Sequence, residues 1–280
     1  MTEAWLASAR ARFHADCLAG PITLTNGVPS IADVANPASR EIATALIAAL
    51  GVSTEQAIKP AGQTSGSMFE SACRSFIDQC LMQLQHLRPG TFTVKRGSLI
   101  SDFDQYAHLD ELRRLSNASR ELKTHLGTDY LIKPDIVVTR AAETDQTINR
   151  YAHLVDASVA THTSLRAANG AGSTLHASIS CKLTIRSERV QNTRSEALNL
   201  IRNRKGRLPH VMAVTAEPLP SRLAAIALGT GDIDCVYHFA LTELVSVLRQ
   251  QGRETLDLME IMIEGKRLRD IADLPLDLIV

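Results

Sequence analysis

Three polar residues on two strand-like segments have the chemistry that phosphodiester hydrolysis requires. Pro134-Asp135 stands before a β-branched run, and Ser180-Cys181-Lys182 lies inside a longer strand-like run. Hydrolysis of a phosphodiester needs a divalent cation to neutralise developing charge and activate water, and a cation or base near the nucleophile. A carboxylate beside a lysine meets both needs. Asp135 and Lys182 are therefore the first candidate catalytic residues.

A second carboxylate is needed because serine stands where the usual pattern of such sites has an acid. In that pattern an acid, any residue and a lysine follow one another on the strand, whereas here Ser180 takes the acid's place before Lys182. Magnesium prefers hard oxygen ligands, commonly one or two carboxylates with phosphate oxygens and waters. Glu196 lies early on the next helical segment and can fold back over the strand. We therefore predict that Asp135 and Glu196 bind Mg2+, with Lys182 beside the attacking water.

Each of these residues also has an ordinary structural interpretation. Lys182 taken alone is a surface lysine, although its apolar neighbours on a strand favour a function. Asp135 after Pro134 taken alone is a turn before a strand. Glu70 is a further candidate carboxylate, but Ser67-x-x-Glu70 also has the spacing of a capping box at a helix start, and both interpretations stay open. The combination of these residues, rather than any one of them, predicts a metal-dependent site.

A tetrapeptide of mixed charge follows the candidate catalytic strand, namely Arg186-Ser187-Glu188-Arg189. Arginine donates two hydrogen bonds to O6 and N7 of guanine, and a carboxylate accepts one from N4 of cytosine. Two arginines around one acid therefore suit C·G base pairs. A local ion pair between Glu188 and a neighbouring arginine is the alternative. We predict that Arg186, Glu188 and Arg189 read DNA bases a few residues from the cleavage site.

The charge distribution also points to a local polyanion site. The chain has a formal net charge of zero, yet residues 182–207 carry eight basic and two acidic side chains, a net charge of +6. A basic segment on a neutral protein favours one binding site for a polyanion over general stickiness. A solvated positive face is the alternative.

The strand that carries Ser180 and Lys182 is predicted by hydrophobic periodicity. Apolar and polar residues alternate over residues 175–186. Since side chains on a strand point alternately to its two faces, Cys181 should face the core. Ser180, Lys182 and Arg186 should share the opposite, polar face. The core-facing position of Cys181 argues against its use as a nucleophile.

Helices and further strands alternate along the rest of the chain, which predicts an α/β fold with a central mixed β-sheet flanked by helices. We expect one domain over residues 1–280, with a small, charged, exposed helical subregion around 101–126. Asn36 caps a helix that begins at Pro37. The other predicted helices cover 3–19, the segment from Ser67 to Arg88-Pro89-Gly90, 192–203, 239–251 and 254–264, and the other predicted strands cover 131–139 and 209–216.

Composition places the chain among globular proteins. With 280 residues, 45% of them hydrophobic and 21% charged, the chain is long enough to bury a large core. No apolar run is long enough for a membrane span, and the N-terminus lacks the pattern of a secretory signal. The five cysteines are odd in number, widely spaced and without a Cys-x-x-Cys pair. They argue against disulfides and structural zinc and predict a cytoplasmic protein.

Several long motifs together resemble the NgoMIV family of type II restriction endonucleases, a CCGG-recognising group of the PD-(D/E)XK nuclease superfamily. The resemblance runs over nearly the whole chain. The motifs that carry it are Pro60-Ala61-Gly62-Gln63-Thr64-Ser65-Gly66, Lys133-Pro134-Asp135, His176-Ala177-Ser178-Ile179-Ser180-Cys181-Lys182, Arg194-Ser195-Glu196, Arg202-Asn203-Arg204-Lys205-Gly206-Arg207-Leu208-Pro209-His210, Thr215-Ala216-Glu217-Pro218 and Gly229-Thr230-Gly231-Asp232-Ile233-Asp234-Cys235-Val236-Tyr237-His238-Phe239.

This resemblance implies a restriction-endonuclease-like core and Mg2+-dependent cleavage of double-stranded DNA within GCCGGC. It implies that Gln63 and Arg222 contact the outer G·C pair, and that the enzyme is a homotetramer of two back-to-back dimers holding two DNA sites. The inner CCGG would be read in the major groove by Arg186, Glu188 and Arg189. The active site that it implies comprises Glu70, Asp135, Ser180, Lys182 and Glu196.

The chain departs from the family pattern at one position that bears on recognition. Glu188 stands where the family has aspartate between the two arginines. Glutamate keeps the acceptor but is one methylene longer, so the reading of the cytosines is either preserved or shifted. Residues 90–130 also differ from the family. The alternatives are a related nuclease of different specificity, which need not have the Arg-x-Glu-Arg element, and a DNA-binding protein that does not cut, which need not have the lysine and carboxylates.

Overall fold

Helices flank one mixed β-sheet in the computed structural model, which describes residues 3–51, 62–126, 130–170, 172–229, 231–250 and 253–280. Pro60 and Ala61 of the first family motif lie outside these ranges. The helices are α1 (Trp5–Ala19), α2 (Pro37–Ala49), α3 (Gly62–Leu84), α4 (His108–Ala118), α5 (Arg120–Leu126), α6 (Asp145–Ile148), α7 (Ser187–Asn203), α8 (Pro220–Ala227), α9 (Leu241–Arg249), α10 (Arg253–Glu264) and α11 (Leu274–Asp277). The strands are β1 (Leu24–Thr25), β2 (Val28–Pro29), β3 (Phe92–Arg96), β4 (Ile136–Arg140), β5 (Thr174–Lys182), β6 (His210–Thr215), β7 (Cys235–His238) and β8 (Leu268–Asp270).

The main sheet has the strand order β3-β4-β5-β6-β7-β8. The first three strands are antiparallel neighbours, and β5, β6, β7 and β8 run parallel. Parallel neighbours require crossover connections, and α7 and α8 lie in two of them. The α/β fold with a mixed sheet flanked by helices, predicted from the sequence, is confirmed. Strand β5 lies in the interior of the sheet, with the end of the antiparallel part on one side and the start of the parallel part on the other.

The polar face that was predicted for β5 is not on the outside of the fold. Every residue from 175 to 181 is buried, including His176, Ser178 and Ser180. The reason is that helices cover both faces of the strand. On one face Cys73 of α3 lies against Cys181, which confirms that Cys181 faces the core. On the other face the hydroxyl oxygens of Ser180 and Thr193 of α7 are 3.3 Å apart.

Strand β5 also ends at Lys182, four residues before its predicted end at Arg186. Arg186 is instead the residue that precedes α7. The prediction that Arg186 shares a strand face with Ser180 and Lys182 is therefore wrong. Similarly, β4 begins at Ile136 rather than at Leu131, since Pro134 has no N–H to donate to a neighbouring strand.

Helix α3 begins at Gly62, five residues before the predicted start at Ser67, and ends at Leu84. The capping-box interpretation of Ser67 and Glu70 is therefore wrong, since both lie inside the helix. The oxygen atoms of both side chains accept hydrogen bonds from Arg96 on β3, at 2.8 Å and 2.6 Å. Two glycines in the first turns disfavour a helix by sequence propensity alone, and packing of α3 against the sheet outweighs that preference.

Two further boundaries differ from the predictions. Helix α7 begins at Ser187, five residues earlier than predicted, so Glu196 lies in its middle. The 101–126 region contains α4 and α5 after two short turns, and it is only partly exposed. Its residues Phe103, Tyr106 and Leu109 are buried in the core. Apolar residues separated by charged ones led the sequence analysis to underestimate that burial.

The structure holds two buried histidines neutral, and their pKa values predict a pH-dependent stability. Burial lowers the pKa of both His176 and His238 to about 4. His238 accepts a hydrogen bond from Ala240 N at Nδ1, and its Nε2 lies 3.2 Å from the Glu217 carbonyl, so the neutral ring satisfies both contacts. His176 Nε2 lies 2.5 Å from the carbonyl oxygen of Leu278.

We predict that the free energy of unfolding falls as the pH is lowered from 7 towards 4. An unfolded histidine binds a proton near pH 6.5, but these two stay neutral in the folded chain until about pH 4, so the unfolded state binds more protons in between. Each histidine then contributes a loss of about 2 kcal/mol in the free energy of unfolding at pH 5.

Urea unfolding at pH 7.5 and pH 5 measures this loss in the free energy of unfolding. The His238→Gln variant should show a smaller difference between the two pH values, and substitution of the exposed His125 should leave it unchanged. An equal pH dependence in His238→Gln and the parent protein would contradict the prediction.

The five cysteines are free and buried. Within the described ranges, each helix is too short or too polar to cross a bilayer.

Candidate active site

Asp135 and Lys182 are in direct contact at one end of the antiparallel strand pair β4–β5. Asp135 precedes β4 and Lys182 ends β5, and the register pairs Ile136 with Ile179. Asp135 Oδ2 accepts hydrogen bonds from Lys182 Nζ at 2.8 Å and from the backbone N–H of Cys181 at 2.8 Å. The carboxylate is thus fixed by the backbone of the neighbouring strand, and it in turn fixes the lysine. The sequence pattern predicted this pairing.

Ser180 supports the carboxylate from the position that an acid occupies in the usual pattern. Its hydroxyl lies 3.4 Å from Asp135 Oδ2 and 3.3 Å from the hydroxyl of Thr193 on α7. Thr193 lies one helical turn before Glu196, so the same face of α7 turns towards β5. Ser180 therefore orients Asp135 and links the strand to the helix that carries the second carboxylate.

The charges of Lys182, Asp135 and Glu196 interact. Burial lowers the pKa of Lys182, but the carboxylates of Asp135 and Glu196 outweigh burial, and the pKa lies above its ordinary value. Burial raises the pKa of Glu196, Lys182 opposes that rise and Asp135 adds to it. The ammonium group of Lys182 therefore stays charged; it is bonded to Asp135 and also interacts with the charge of Glu196.

The two carboxylates fit a magnesium ion better than a metal that needs a full set of protein ligands. Among the described residues, no group of three or more histidine, cysteine, aspartate or glutamate side chains is arranged to hold a metal. Magnesium commonly takes only one or two carboxylates and completes its shell with waters and phosphate oxygens. Asp135 and Glu196 are the two carboxylates that could supply such a donor set, whereas zinc prefers cysteine and histidine.

Glu70, the remaining candidate carboxylate, is engaged by an arginine. Arg96 on β3 forms a 2.6 Å ion pair with Glu70 and also donates to the hydroxyls of Ser67 and Ser71. Glu70 lines two cavities, one shared with Lys182 and the other, of about 280 Å3, shared with Asp135. The structure thus brings Glu70 to the edge of the site, with its charge balanced by Arg96.

One cavity of about 500 Å3 brings together most of the residues predicted to touch DNA. Glu70 and Lys182 lie on its wall beside four residues predicted to read bases. These four come from separate parts of the chain, namely Gln63 on α3, Arg186 and Arg189 at the start of α7, and Arg222 on α8. A basic wall next to the Asp135–Lys182 pair is the arrangement that recognition coupled to cleavage requires.

The predicted base-reading residues differ in how they are held. Arg186 is exposed and forms no ion pair within the described ranges. Arg189 donates from one guanidinium nitrogen to the carbonyl and the hydroxyl of Thr184, at 2.9 Å and 3.0 Å. Glu188 is exposed on the first turn of α7. An ion pair of Glu188 with a neighbouring arginine, the alternative interpretation, is not found within the described chain.

Arg222 is held by two acids, Asp33 and Glu217, which were not among the predicted site residues. Its guanidinium forms an ion pair with Asp33 and lies 3.8 Å from the carboxylate of Glu217. Asp33 also lines the 500 Å3 cavity. Asp33 comes from a loop far away in the sequence, and no nearby motif marks it. Glu217 belongs to a motif of the resemblance, which could have marked it.

Helix α7 is locked to α8 by Arg194. The guanidinium bonds to buried Asp232 at 3.0 Å and to the carbonyl oxygens of Ala225 and Ile226 near the end of α8. Gly229 leaves the room for it, since a Cβ there would lie 2.1 Å from Arg194 Nη1. This contact fixes the helix that carries Glu196 relative to the helix that carries Arg222. It also shows that the predicted basic segment is not one continuous patch, because Arg194 is used internally.

Comparisons with known proteins extend the similarity beyond these site residues. A sequence model of the family described as NgoMIV restriction enzyme matches residues 13–280. The type II restriction enzyme NgoMIV of Neisseria gonorrhoeae is 54% identical to the chain over an alignment of 276 residues. The alignment covers 96% of this chain and 96% of that enzyme. The two sequences therefore align almost from end to end, through the sheet and through helices α7 and α8.

Proposed function

The chain belongs to the NgoMIV family of type II restriction enzymes, and from that premise we propose how it acts. We propose that it hydrolyses both strands of DNA, with Mg2+, at a C/G-rich palindrome whose sequence is GCCGGC. The products would carry 5′-phosphate and 3′-hydroxyl ends. The general class, a site-specific deoxyribonuclease, follows from the family, and the metal, the sequence and the ends are the proposed parts.

The observation that carries this proposal is the contact between Asp135 and Lys182 beside an arginine-lined cavity. A 2.8 Å ion pair between a carboxylate and a lysine, fixed by the Cys181 backbone, supplies a metal ligand and a cation at one point. The adjoining cavity supplies Arg186, Arg189 and Arg222. A protein that only binds DNA has no need of the first feature, so this arrangement favours cleavage.

Asp135 and Glu196 would hold the magnesium ion. When bound, Mg2+ neutralises negative charge on the phosphate and makes a water more acidic. The oxygen atoms of Asp135 are set in place by Cys181 N and Lys182 Nζ. Glu196 is set in place by α7, which Arg194 locks against α8.

Lys182 would act on the reacting atoms. Its ammonium group donates to the attacking water and to the non-bridging phosphate oxygens, and so orients the water and stabilises charge that develops in the transition state. Water attacks phosphorus in line with the 3′ oxygen, and the bond between phosphorus and that oxygen breaks. The attacking water gives up a proton to solvent, the 3′ oxygen leaves with a proton from solvent as a hydroxyl, and the phosphate stays on the 5′ end. Ser180 acts through Asp135 by keeping its carboxylate oriented.

Recognition would be divided between the start of α7 and two more distant residues. Arg186, Glu188 and Arg189 read the inner C·G pairs, and Gln63 and Arg222 contact the outer G·C pair. Their positions around one cavity support this division for all but Glu188. Glu188 instead projects from the exposed first turn of α7. Its longer side chain favours one second candidate, a related enzyme that cuts a different C/G-rich palindrome.

The proposed assembly is a homotetramer of two dimers that holds two DNA sites. A palindrome presents two identical half-sites, so a two-fold symmetric dimer matches one site. Exposed apolar side chains on the segment between α6 and β5 support a further contact between copies. They are Tyr151, Leu154, Val159 and Leu165, of which Tyr151 is 87% exposed.

The proposed compartment is the cytoplasm, where the enzyme would act in a restriction system. The five cysteines support this proposal, since all are free and buried. A reducing compartment keeps cysteine thiols free of disulfide bonds.

Digestion of two matched plasmids tests the proposal. One plasmid contains a single GCCGGC and the other has that site changed to GACGTC. We expect Mg2+ to convert the first into full-length linear DNA and to leave the second intact, and we expect EDTA to stop cleavage of the first. Cleavage of the first plasmid in EDTA would contradict the role of Mg2+. Equal cleavage of both plasmids would contradict the proposed sequence.

A further inference from the structure

Glu217 is a buried carboxylate that the proposed mechanism does not use. Its side chain is fully buried, and burial raises its pKa although two backbone N–H groups and Arg222 oppose that rise. Burial of a carboxylate is costly unless hydrogen bonds satisfy it. A residue with no structural or functional task would not be expected to be an acid at such a place.

The carboxylate of Glu217 joins two separate chain segments. Its Oε2 accepts a hydrogen bond from the backbone N–H of Ile185 at 2.8 Å, and its Oε1 accepts one from the backbone N–H of Leu219 at 3.1 Å. Ile185 directly precedes Arg186. Leu219 directly precedes α8, which carries Arg222. One side chain therefore fixes the backbones that lead to an inner and an outer base-reading arginine.

Glu217 is also tied to the catalytic strand. It lies two residues beyond Thr215, the last residue of β6, and the register pairs Thr215 with Lys182. The hydroxyl of Thr215 accepts a hydrogen bond from Glu217 N at 3.2 Å. Any displacement of the arginine-bearing segments relative to Glu217 is thus a displacement relative to Lys182.

We propose that Glu217 is a positioning residue for specificity, which holds Arg222 and the segment of Arg186 in register with the catalytic strand. The assignment rests on the proposed function, since it assumes that both arginines read bases. Glu217 touches neither the phosphate nor the metal. It acts by keeping two base-reading groups at a fixed distance from the reacting phosphate, and misplacement of such groups by about 1 Å costs up to roughly 100-fold in rate.

The test compares Glu217→Gln with the parent protein on three substrates. They are GCCGGC, a site with only the outer pairs exchanged (ACCGGT), and a site with only the second and fifth pairs, which belong to the inner CCGG, exchanged (GACGTC). Glutamine keeps the size of the side chain, but its NH2 group faces one of the two backbone N–H groups and cannot accept from it. We expect kcat/KM on GCCGGC to fall about 10- to 100-fold, with little change on the other two sites. Selectivity would therefore fall by the same factor.

A second substitution separates positioning from a general loss of stability. If Glu217 acts through Arg222, then Arg222→Ala in the Glu217→Gln background should lose no more outer-pair selectivity than Arg222→Ala alone. The matched control is Asp270→Asn, because Asp270 on β8 also accepts from a backbone N–H (Leu241) and pairs with an arginine (Arg10), but far from the cavity. The control should keep the parental selectivity. Should Glu217→Gln fail to fold, Glu217→Asp, which keeps the charge but is too short to reach both N–H groups, replaces it.

The outcomes distinguish this inference from the function on which it rests. Equal loss by Glu217→Gln on all three substrates, or additive losses in the double variant, would overturn the positioning role and leave the nuclease intact. If the parent protein cuts another palindrome, the same comparison is made with outer-pair and inner-pair changes of that palindrome. Absence of any cutting by the parent protein would overturn the proposed function and this inference with it.

Discussion

Replacement of Lys182 by alanine is expected to reduce cleavage of the cognate site by about 10³-fold while leaving DNA affinity within a few-fold of the parent value. The ammonium group bonds to the carboxylate of Asp135, interacts with the charge of Glu196, and is the cation placed at the proposed reacting phosphate. Its removal takes away charge stabilisation in the transition state. Affinity for DNA should persist because the arginines that line the 500 Å3 cavity are unchanged.

Single-turnover cleavage and metal-free binding measure the two quantities separately. Lys95→Ala is the matched control, because Lys95 is also a strand lysine but lies exposed on β3. The control should cut at the parental rate. A Lys182→Ala protein that cuts as fast as its parent would contradict the site assignment. A protein that neither cuts nor binds would indicate a structural role for the Asp135–Lys182 pair.

Replacement of Arg186 by alanine is expected to remove discrimination at the inner base pairs. A specific arginine contact with guanine contributes about 1–3 kcal/mol, or roughly 5- to 150-fold. A dimer on a palindrome loses that contact in both half-sites, so the total loss is the product of the two. Arg186 is exposed and without an ion-pair partner in the described ranges, and it therefore has its donors available for a base.

Binding to GCCGGC and to single-pair variants of it measures this loss, with Arg114→Ala as a control. Arg114 is an exposed arginine on α4 that pairs with Glu111. Affinity for the cognate site should fall in Arg186→Ala, and affinity for inner-pair variants should change little. An equal fall on every sequence would contradict base reading and would assign Arg186 to a phosphate. Arg189→Ala should likewise lower selectivity at the inner pairs, since Arg189 lines the same cavity.

The sequence predicted two features of the site, the contact between Asp135 and Lys182 and the orientation of Cys181, because local patterns sufficed for them. Asp135 on one predicted strand and Lys182 on another were predicted to lie beside each other, and Asp135 Oδ2 and Lys182 Nζ are 2.8 Å apart. The alternation over β5 predicted that Cys181 faces the core. Such patterns hold because strand pairing fixes the positions of side chains near the ends of neighbouring strands.

The sequence did not predict the features that depend on distant parts of the chain. Ser180 is buried because α7 folds back over β5, and an alternating pattern cannot distinguish a covered face from an open one. Glu70 looked like a capping residue because its partner, Arg96, lies on a strand that the sequence analysis did not identify. Asp33 pairs with Arg222, far along the chain, and local spacing contains no information about that contact.

Glu188 is the position at which family membership says least about this chain. The start of α7 places Glu188 next to two arginines, and the cavity contains those arginines but is not lined by Glu188. Its carboxylate is one methylene farther from the backbone than the aspartate of the family pattern. The cut sequence of the parent protein is therefore the most informative property of the recognition surface.

Sequencing of the ends produced by Mg2+-dependent digestion of a large DNA of mixed sequence tests the central claim most directly. The account predicts that every end lies within GCCGGC and that each carries a 5′-phosphate and a 3′-hydroxyl. Ends within one other C/G-rich palindrome would retain the nuclease and assign the change to Glu188 or its neighbours. Ends at random sequences, or intact DNA to which the protein stays bound, would contradict the claim that Asp135, Lys182 and Glu196 form the active site of a sequence-specific nuclease.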